Sequence, residues 1–225
     1  MEEKDVNEMR ERMAEEWKPK TQLGKDVLQG KISSIETIFK EGKKIMEPEI
    51  VDFLIPNIGS EVILIGGTPG KGGGIRRTAG RRTSRMHKSG RRYKITSMSV
   101  VGNSDGYVGL GTGQSSDFRD AIEKSVKKAK LNLIPIKRGC GSWECGCGEN
   151  HSIPYEIEGK VGSCKVVLKP APKGLGLCAS DSVKKILSLA GIKDIWVKSF
   201  GQTGTRINHM KAVFNALKNL NKIKH

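Results

Sequence analysis

Four potential metal ligands lie close together in the sequence CGSWECGCGENH, which covers residues 140–151. Cys140, Cys145, Cys147 and His151 have the spacing C-x4-C-x-C-x3-H, which is not a common zinc-finger spacing. Zn²⁺ prefers thiolate and imidazole ligands, and the intervening glycines allow a short loop to surround one ion. We therefore predict a structural zinc site whose four protein ligands leave no open position for catalysis. The alternative is a loop of reduced thiols without a metal.

A second chemically distinctive stretch, which we call the basic segment, covers residues 71–94 and contains ten Lys and Arg residues but no Asp or Glu. Charges of one sign at this density repel each other unless a polyanion lies against them, and RNA is the commonest such partner. Guanidinium groups also bind phosphate through two parallel hydrogen bonds. The predicted RNA-binding residues are Lys71, Arg76, Arg77, Arg81, Arg82, Arg85, Lys88, Arg91 and Arg92. The alternative, a solvated disordered tail, fits poorly because the segment joins two predicted strands.

Glycines before and within the basic segment suggest a nucleotide-binding loop, but the spacing excludes the known motifs. A Walker A motif requires Gly five residues before the Gly-Lys pair, where this chain has Ile65, and Ser or Thr after the lysine, where it has Gly72. The dinucleotide fingerprint also fails, because Gly109-x-Gly111 is followed three residues later by Gln114. We instead expect the glycines to let the loop turn and approach RNA phosphates.

The composition favours a protein that binds nucleic acid or an anionic surface. The chain of 225 residues has a net charge of +16, while aromatic residues make up only 5% of it. Binders of single strands depend on aromatic stacking, so we expect recognition of structured RNA through its backbone and shape. No Ser/His/Asp set or carboxylate pair suggests catalysis. An acidic N-terminus, five cysteines and the lack of a long apolar run favour a cytoplasmic protein.

Periodicity predicts an α+β fold with two modules. In the first, residues 34–138, two short helices begin near Ser34 and Glu47 and precede a strand at Glu61–Ile65. The basic segment follows as a Gly-rich loop, and a strand, a turn at 103–106 and a second strand form a hairpin. A helix after Asp117 completes the order α-β-β-β-α, with its lysines, Lys130 among them, on the exposed face.

The second module covers residues 153–225, after the Cys/His insert at 139–152. Its predicted order is β-β-α-β-α, with a turn at Gly159 and Gly162 and a last helix capped by Asn208. Cys164 and Cys178 are expected to be small buried side chains. Residues 1–33 form an N-terminal extension, in which residues 1–20 are either a docking arm or a frayed tail. Lys169 and Lys173, beside the PAPKG turn, are weaker candidates for RNA contact, and the alternative is a solvated lysine face.

Two stretches of the sequence closely resemble one known family. The first is RMHKSGRRYKITSMSVVGNSDGYVGLGTGQSSDFRDAIEKSVKKAKLNLIPI, and the second is GSCKVVLKPAPKGLGLCASDSVKKILSLAGIKDIWVKSFGQTGTRINHMKAVFNALKNL. Both are similar to the universal small-subunit ribosomal protein S five (S5) family, and the agreement covers roughly residues 45–220. The Cys/His insert, the long N-terminus and the longer basic segment differ from bacterial members and resemble the archaeal type.

The resemblance implies a double-stranded-RNA-binding-like domain, a β-α-β-α C-terminal domain and a structural role on small-subunit rRNA without catalysis. It implies neighbouring ribosomal proteins S four and S eight, with S three, near the channel through which mRNA enters. The family's loop linked to decoding accuracy corresponds to Arg85–Arg92. A free-standing RNA-binding or unwinding factor remains the alternative, and a nucleotide-dependent enzyme is a second one.

Overall fold

The computed structural model describes residues 17–222, which form a mixed α+β fold with two main sheets and a separate two-stranded hairpin. The helices are α1 (Gln22–Leu28), α2 (Ile35–Lys40), α3 (Pro48–Leu54), α4 (Phe118–Leu131), α5 (Asp181–Leu189) and α6 (Arg206–Leu220). The strands are β1 (Gly59–Val62), β2 (Gly66–Pro69), β3 (Ile75–Thr78), β4 (Gly80–His87), β5 (Gly90–Gly102), β6 (Tyr107–Ser115), β7 (Leu133–Pro135), β8 (Ile157–Val161), β9 (Cys164–Pro170), β10 (Leu177–Cys178) and β11 (Ile195–Phe200). The predicted α+β class is therefore confirmed.

The first sheet is built around β5, a strand of thirteen residues. β6 lies along one edge of β5, and β7 pairs with the outer edge of β6. β1 and β4 lie end to end along the other edge, where β1 pairs with residues 99–102 and β4 with residues 90–97. All these pairs are antiparallel. Asn103 closes the predicted hairpin turn, because its side-chain oxygen accepts hydrogen bonds from the backbone N–H groups of Asp105 and Tyr107.

The basic segment forms hairpins, so the prediction of a Gly-rich loop was wrong. β2 and β3 pair with each other as a hairpin of residues 66–78, and β4 then pairs with the first half of β5. Residues 90–94 pair only with β4, because β6 first meets β5 at Ile95. These strands were missed because almost every side chain in them is polar and exposed, so they lack the apolar alternation that marks a half-buried strand.

A stripe of glycines in β6 allows helix α4 to lie directly on the first sheet. Cβ atoms added at Gly109, Gly111 and Gly113 would approach backbone atoms of α4 more closely than 3 Å, which is inside van der Waals contact. The opposing helix positions hold the small buried side chains Ala121, Ser125 and Ala129. The glycine pair that fails as a dinucleotide fingerprint therefore has a packing role.

Replacing Gly111 by valine is expected to lower the free energy of unfolding by about 3 kcal/mol, because the backbone of α4 leaves no room for the side chain. Gly72→Val is the matched control, since a Cβ at Gly72 meets nothing within 4 Å. Urea unfolding of both variants measures the difference. Equal stability of the two variants would contradict the close packing of β6 against α4.

The second sheet has the order β10-β11-β9-β8, in which only the β10–β11 pair is parallel. Helix α6 packs on β8 and β9, where Gly159 leaves room for the backbone of the helix at Ala212 and Ala216. Gly159 therefore lies within β8, and only Gly162 of the two predicted glycines lies in the turn, which it forms with Ser163. Side chains from both sheets, such as Met98 and Leu168, belong to one continuous hydrophobic cluster.

Residues 17–58 form a small helical layer with a hydrophobic cluster of its own around Ile38, Ile50 and Val51. The Glu47 carboxylate holds the start of this layer, because it accepts hydrogen bonds from the Trp17 indole and from the backbone of Thr21. Burial opposes ionisation of Glu47, but these hydrogen bonds outweigh it and lower its pKa. Helix α1 was missed in the sequence. The predicted docking arm or tail covers residues 1–20, and its first 16 residues lie outside the described part of the chain.

Three further sequence predictions were wrong. The last helix begins after Thr205, three residues before the predicted cap at Asn208. Cys178 is exposed because it lies on the short edge strand β10, whereas Cys164 is buried as predicted. Lys130 is not free on the exposed face of α4, because its ammonium group is 2.7 Å from the carboxylate of Asp52. Among the described helices, none is long and apolar enough to span a membrane.

Candidate nucleic-acid interface and metal centre

β4 and the first half of β5, residues 80–97, form a two-stranded structure that we call the arginine ribbon. Its outer part, residues 83–94, extends beyond β6 and has no third strand. Lys88 and Ser89 form the two-residue turn at its tip, and Gly90 follows with a φ of +105°, a conformation that favours glycine. All residues from 81 to 94 are exposed. The ribbon therefore presents its side chains to solvent or to a partner.

The pairing register gathers positive charge on one face of the arginine ribbon. Arg85 lies directly opposite Arg92, and the neighbouring pairs on that face are Arg81 with Thr96 and Thr83 with Lys94. Like charges directly opposite each other destabilise an antiparallel pair. No carboxylate forms an ion pair with these cations within the described part of the chain. This face therefore suits a polyanion that would relieve the repulsion.

The opposite face of the ribbon has a different character. The Arg82 guanidinium carbon lies 3.7 Å from the centre of the Tyr93 ring, which is a cation–π contact. Met86 and Arg91 share this face and are directly paired. The aromatic ring holds the Arg82 side chain along the ribbon surface, and Arg92 on the first face donates a hydrogen bond to the Ser89 hydroxyl at 3.1 Å.

The remaining predicted RNA-binding residues lie in the preceding hairpin. Arg76 and Arg77 are exposed on β3, and Lys71 is in the glycine-rich tip. The tip is closed by a hydrogen bond of 2.7 Å from Gly70 N–H to the Gly74 carbonyl. Lys169 and Lys173 lie in the second half of the chain, and each is paired with a glutamate, which makes them weaker candidates.

The four predicted metal ligands converge in the folded protein. The ligand atoms of Cys140, Cys145, Cys147 and His151 all lie within 4.8 Å of one another. The Sγ atoms of Cys145 and Cys147 are 3.3 Å apart, too far for a disulfide, and Cys145 Sγ is 3.8 Å from His151 Nε2. The loop is closed at its base, where Gly139 and Ser152 exchange two backbone hydrogen bonds.

A buried carboxylate orients the histidine of this cluster. His151 Nδ1 lies 2.9 Å from Asp194 Oδ2, and both side chains are about 4–6% exposed. The other carboxylate oxygen of Asp194 accepts hydrogen bonds from the backbone N–H groups of Gly174 and Gly176. Because Nδ1 faces Asp194, Nε2 faces the three sulfur atoms. This is the outer-shell arrangement usual for a histidine that binds a metal.

The backbone around the cluster favours thiolate at one position. A backbone hydrogen bond from Lys173, followed by one from Cys147, lowers the pKa of Cys145 to about 6. A backbone hydrogen bond from Glu149 lowers the pKa of Cys147. The hydrogen bond with Cys145, burial and the interaction with Cys140 all raise this pKa, and together they outweigh the effect of Glu149, so the net pKa is raised. The thiolate form is therefore favoured at Cys145, and thiolate is the form that binds a metal.

The donor set fits a tetrahedral zinc ion. Zn–S bonds of ~2.3 Å imply sulfur atoms ~3.8 Å apart, which this cluster reaches with small shifts. Three sulfur ligands and one imidazole would fill all four positions of such an ion, so the site suits a structural role.

Asp194 is the main residue of this site that sequence reasoning missed. It lies 43 residues after His151, in the loop between α5 and β11. The only sequence feature that could have indicated its role is its position as an acidic residue in the largely apolar stretch GIKDIW. A carboxylate in such surroundings needs hydrogen-bond donors when it is buried. Only the fold identifies the donors.

Two family models match this chain in succession. The model described as "Ribosomal protein S5, N-terminal domain" matches residues 79–137, and "Ribosomal protein S5, C-terminal domain" matches residues 159–225. The first match begins at the base of the arginine ribbon and contains the whole of it. The Cys/His loop lies between the two matches.

Curated relatives agree over nearly the whole chain. "Small ribosomal subunit protein uS5" of Nanoarchaeum equitans is 51% identical over 212 residues, covering 93% of this chain and 90% of that protein. The protein of the same name from Thermofilum pendens is 50% identical over 206 residues, with coverage of 92% and 95%. That of Methanocaldococcus jannaschii is 47% identical over 207 residues, with coverage of 92% and 88%.

Proposed function

The chain belongs to the ribosomal protein S5 family, and on that basis we propose that it is a structural, non-catalytic component of the small ribosomal subunit in the cytoplasm. The observation that carries the proposal is the similarity to small-subunit proteins over more than nine-tenths of the chain. The archaeal relatives support the archaeal type. The alternative of a free-standing RNA-binding or unwinding factor is not favoured.

Small-subunit rRNA is the proposed partner of the arginine ribbon and of the hairpin before it. Arg81, Arg85 and Arg92 would bind backbone phosphates, because the strand register places their cations on one exposed face without carboxylate partners. Lys88 at the tip and Arg91 on the other face would extend the contact. Arg82 would bind a phosphate either while it stays in contact with the Tyr93 ring or after it moves away from the ring. Lys71, Arg76 and Arg77 would add a second, shorter basic hairpin.

We also propose the finer organisation of the chain. Residues 34–138 would form a double-stranded-RNA-binding-like domain of order α-β-β-β-α, made by α3, β1, β5, β6 and α4. Residues 139–152 would be a zinc-binding insert, and 153–225 the C-terminal domain. Residues 1–33 would be an extension, of which the part from Trp17 packs with α3 through Glu47.

The proposed zinc ion would be held by Cys140, Cys145, Cys147 and His151. Its support is the convergence of four suitable ligands and the Asp194 carboxylate behind the histidine. The ion would connect the loop to the C-terminal domain through His151. The Asp194 side chain contacts the ring of His151, and the backbone N–H groups of Lys193 and Asp194 donate to its carbonyl.

Neighbouring ribosomal proteins S four and S eight, possibly with S three, are proposed partners from the family resemblance. The same resemblance supports a position near the channel through which mRNA enters, and a role in assembly and translational accuracy for the ribbon tip at Arg85–Arg92.

Co-sedimentation tests the proposed function. We expect a tagged copy of the full chain, made in its own cells, to migrate almost entirely with small subunits when ribosomes are dissociated in low magnesium. Salt extraction of those subunits should release it only at high ionic strength, because many phosphate contacts are broken together. A chain found mainly at the top of the gradient would instead support a free-standing factor.

A further inference from the structure

A cleft of about 540 Å³ lies where α4 of the first sheet meets α6 of the second. The cations along it are Lys128 at the end of α4 and Lys211 and Lys218 on α6, and all three are exposed. Lys211 and Lys218 are seven residues apart, which places them on one face of the helix about 10 Å apart. The cleft is thus lined by cations from two separate helices.

The charge in this cleft is uncompensated. The lining residues, all of which belong to the described chain, include no Asp or Glu. None of the three lysines has a carboxylate within 4.0 Å among the described residues. On the same helix, Lys130 shows the contrasting case, because it is paired with Asp52 at 2.7 Å. The three lysines of the cleft are thus among the described lysines that have no carboxylate partner.

The rest of the cleft suits a sugar–phosphate backbone. Leu110 and Phe214 form a buried apolar floor, and the polar groups of Thr112, Asn132 and Asn215 lie among the lysines. The Asn132 amide N–H donates to the Leu110 carbonyl at 3.1 Å, which leaves its side-chain oxygen as an acceptor. Amide and hydroxyl groups between cations can bind ribose hydroxyls while the ammonium groups bind phosphates.

We propose that this cleft, which we call the lysine cleft, is a second rRNA-binding site that holds one RNA strand by its backbone. The inference rests on the proposed ribosomal function and adds residues outside the basic segment. Because its two walls belong to different sheets, bound RNA would connect the two halves of the protein. The arginine ribbon and the lysine cleft would then bind RNA independently.

The test compares two charge-matched triple variants of the full chain. The first is Lys128→Gln with Lys211→Gln and Lys218→Gln. The control is Lys31→Gln with Lys40→Gln and Lys165→Gln, three lysines that each have a carboxylate partner and lie outside the cleft. Both remove three positive charges. Their affinities for transcribed small-subunit rRNA are measured from 0.1 M to 0.4 M salt, and thermal melts check that both are folded.

We expect the cleft variant to bind ~100-fold more weakly at 0.1 M salt and to reduce the salt slope by ~2 units, since each lost phosphate contact contributes ~0.7 to 0.9. The control should change the affinity by less than ~3-fold. Equal losses in the two variants would show a net-charge effect and overturn the proposal. The proposal would also be overturned if the cleft variant kept its rRNA affinity but was no longer incorporated into subunits. That result would indicate that the cleft binds an acidic segment of a protein.

The same experiment separates two kinds of failure. If the wild-type chain does not bind small-subunit rRNA, the proposed function fails together with the lysine cleft. If the wild-type chain binds and the cleft variant matches its control, only the lysine cleft is wrong.

Discussion

Loss of the proposed zinc ion from the Cys/His cluster is expected to lower the melting temperature by roughly 10 °C. Loss of a structural metal typically costs on the order of 4 kcal/mol or more, and each kcal/mol corresponds to about 2–4 °C in a chain of this size. The expected local reason is that segment 139–152 has few buried apolar side chains, while its thiols and histidine converge on one point. Without the ion, the loop would be held mainly at its ends, by the Gly139–Ser152 pairing and by the contacts of His151 with Asp194 and Lys193.

Cys147→Ser is the most informative variant, because the Cys147 side chain is exposed and has no packing role beyond the cluster. Cys178→Ser is the matched control, since Cys178 is an exposed thiol outside the cluster. Elemental analysis should find about one zinc per wild-type chain and per control chain, but little in Cys147→Ser. Wild-type protein without zinc, or identical melting of the two variants, would contradict a structural metal in this cluster.

Asp194→Asn gives a graded form of the same test. Asparagine retains an oxygen acceptor near Gly174 and Gly176 but loses the carboxylate charge that His151 faces. Loss of such an outer-shell carboxylate typically weakens metal binding 10- to 100-fold. A zinc competition assay with a chromophoric chelator measures that factor separately from protein stability.

Replacing Arg81, Arg85 and Arg92 by glutamine is expected to weaken binding to small-subunit rRNA by ~100-fold at 0.1 M salt and to reduce the salt slope by ~2 units. The three cations share one exposed face, and Arg85 lies directly opposite Arg92. Glutamine removes charge without removing the whole stem, so the ribbon should keep its pairing. Filter binding or fluorescence anisotropy over a salt series measures both quantities.

The control for this variant is again the set Lys31→Gln, Lys40→Gln and Lys165→Gln, which removes equal charge at paired lysines. A second comparison replaces Arg82 and Arg91, the arginines of the other face. A smaller effect per residue there would indicate that the Arg81 face contacts RNA. An unchanged slope in the Arg81, Arg85 and Arg92 variant would mean that these residues do not contact phosphate.

Sequence reasoning worked best where the signal is local. The helix at Asp181–Leu189, the strand Ile195–Phe200 and the turn before Tyr107 follow from caps, apolar periodicity and turn residues, and all three are present. Short elements were harder to predict. Helix α1 has seven residues and strand β10 has two, so their sequences carry little periodic signal. The last helix was misplaced because Asn208 is a good cap residue, whereas the observed start follows Thr205.

Composition and spacing by themselves predicted two candidate chemistries, a basic segment suited to a polyanion and a loop with four potential metal ligands. Both depend on residue type and short separation, which the sequence states directly. The tertiary structure alone decided which cations share a face, because strand register places Arg85 opposite Arg92. It also placed Asp194 behind His151 and brought Lys128 to the same cleft as Lys211 and Lys218. His151 and Asp194 are 43 residues apart in the sequence, and Lys128 is still farther from Lys211, so only the tertiary fold brings these residues together.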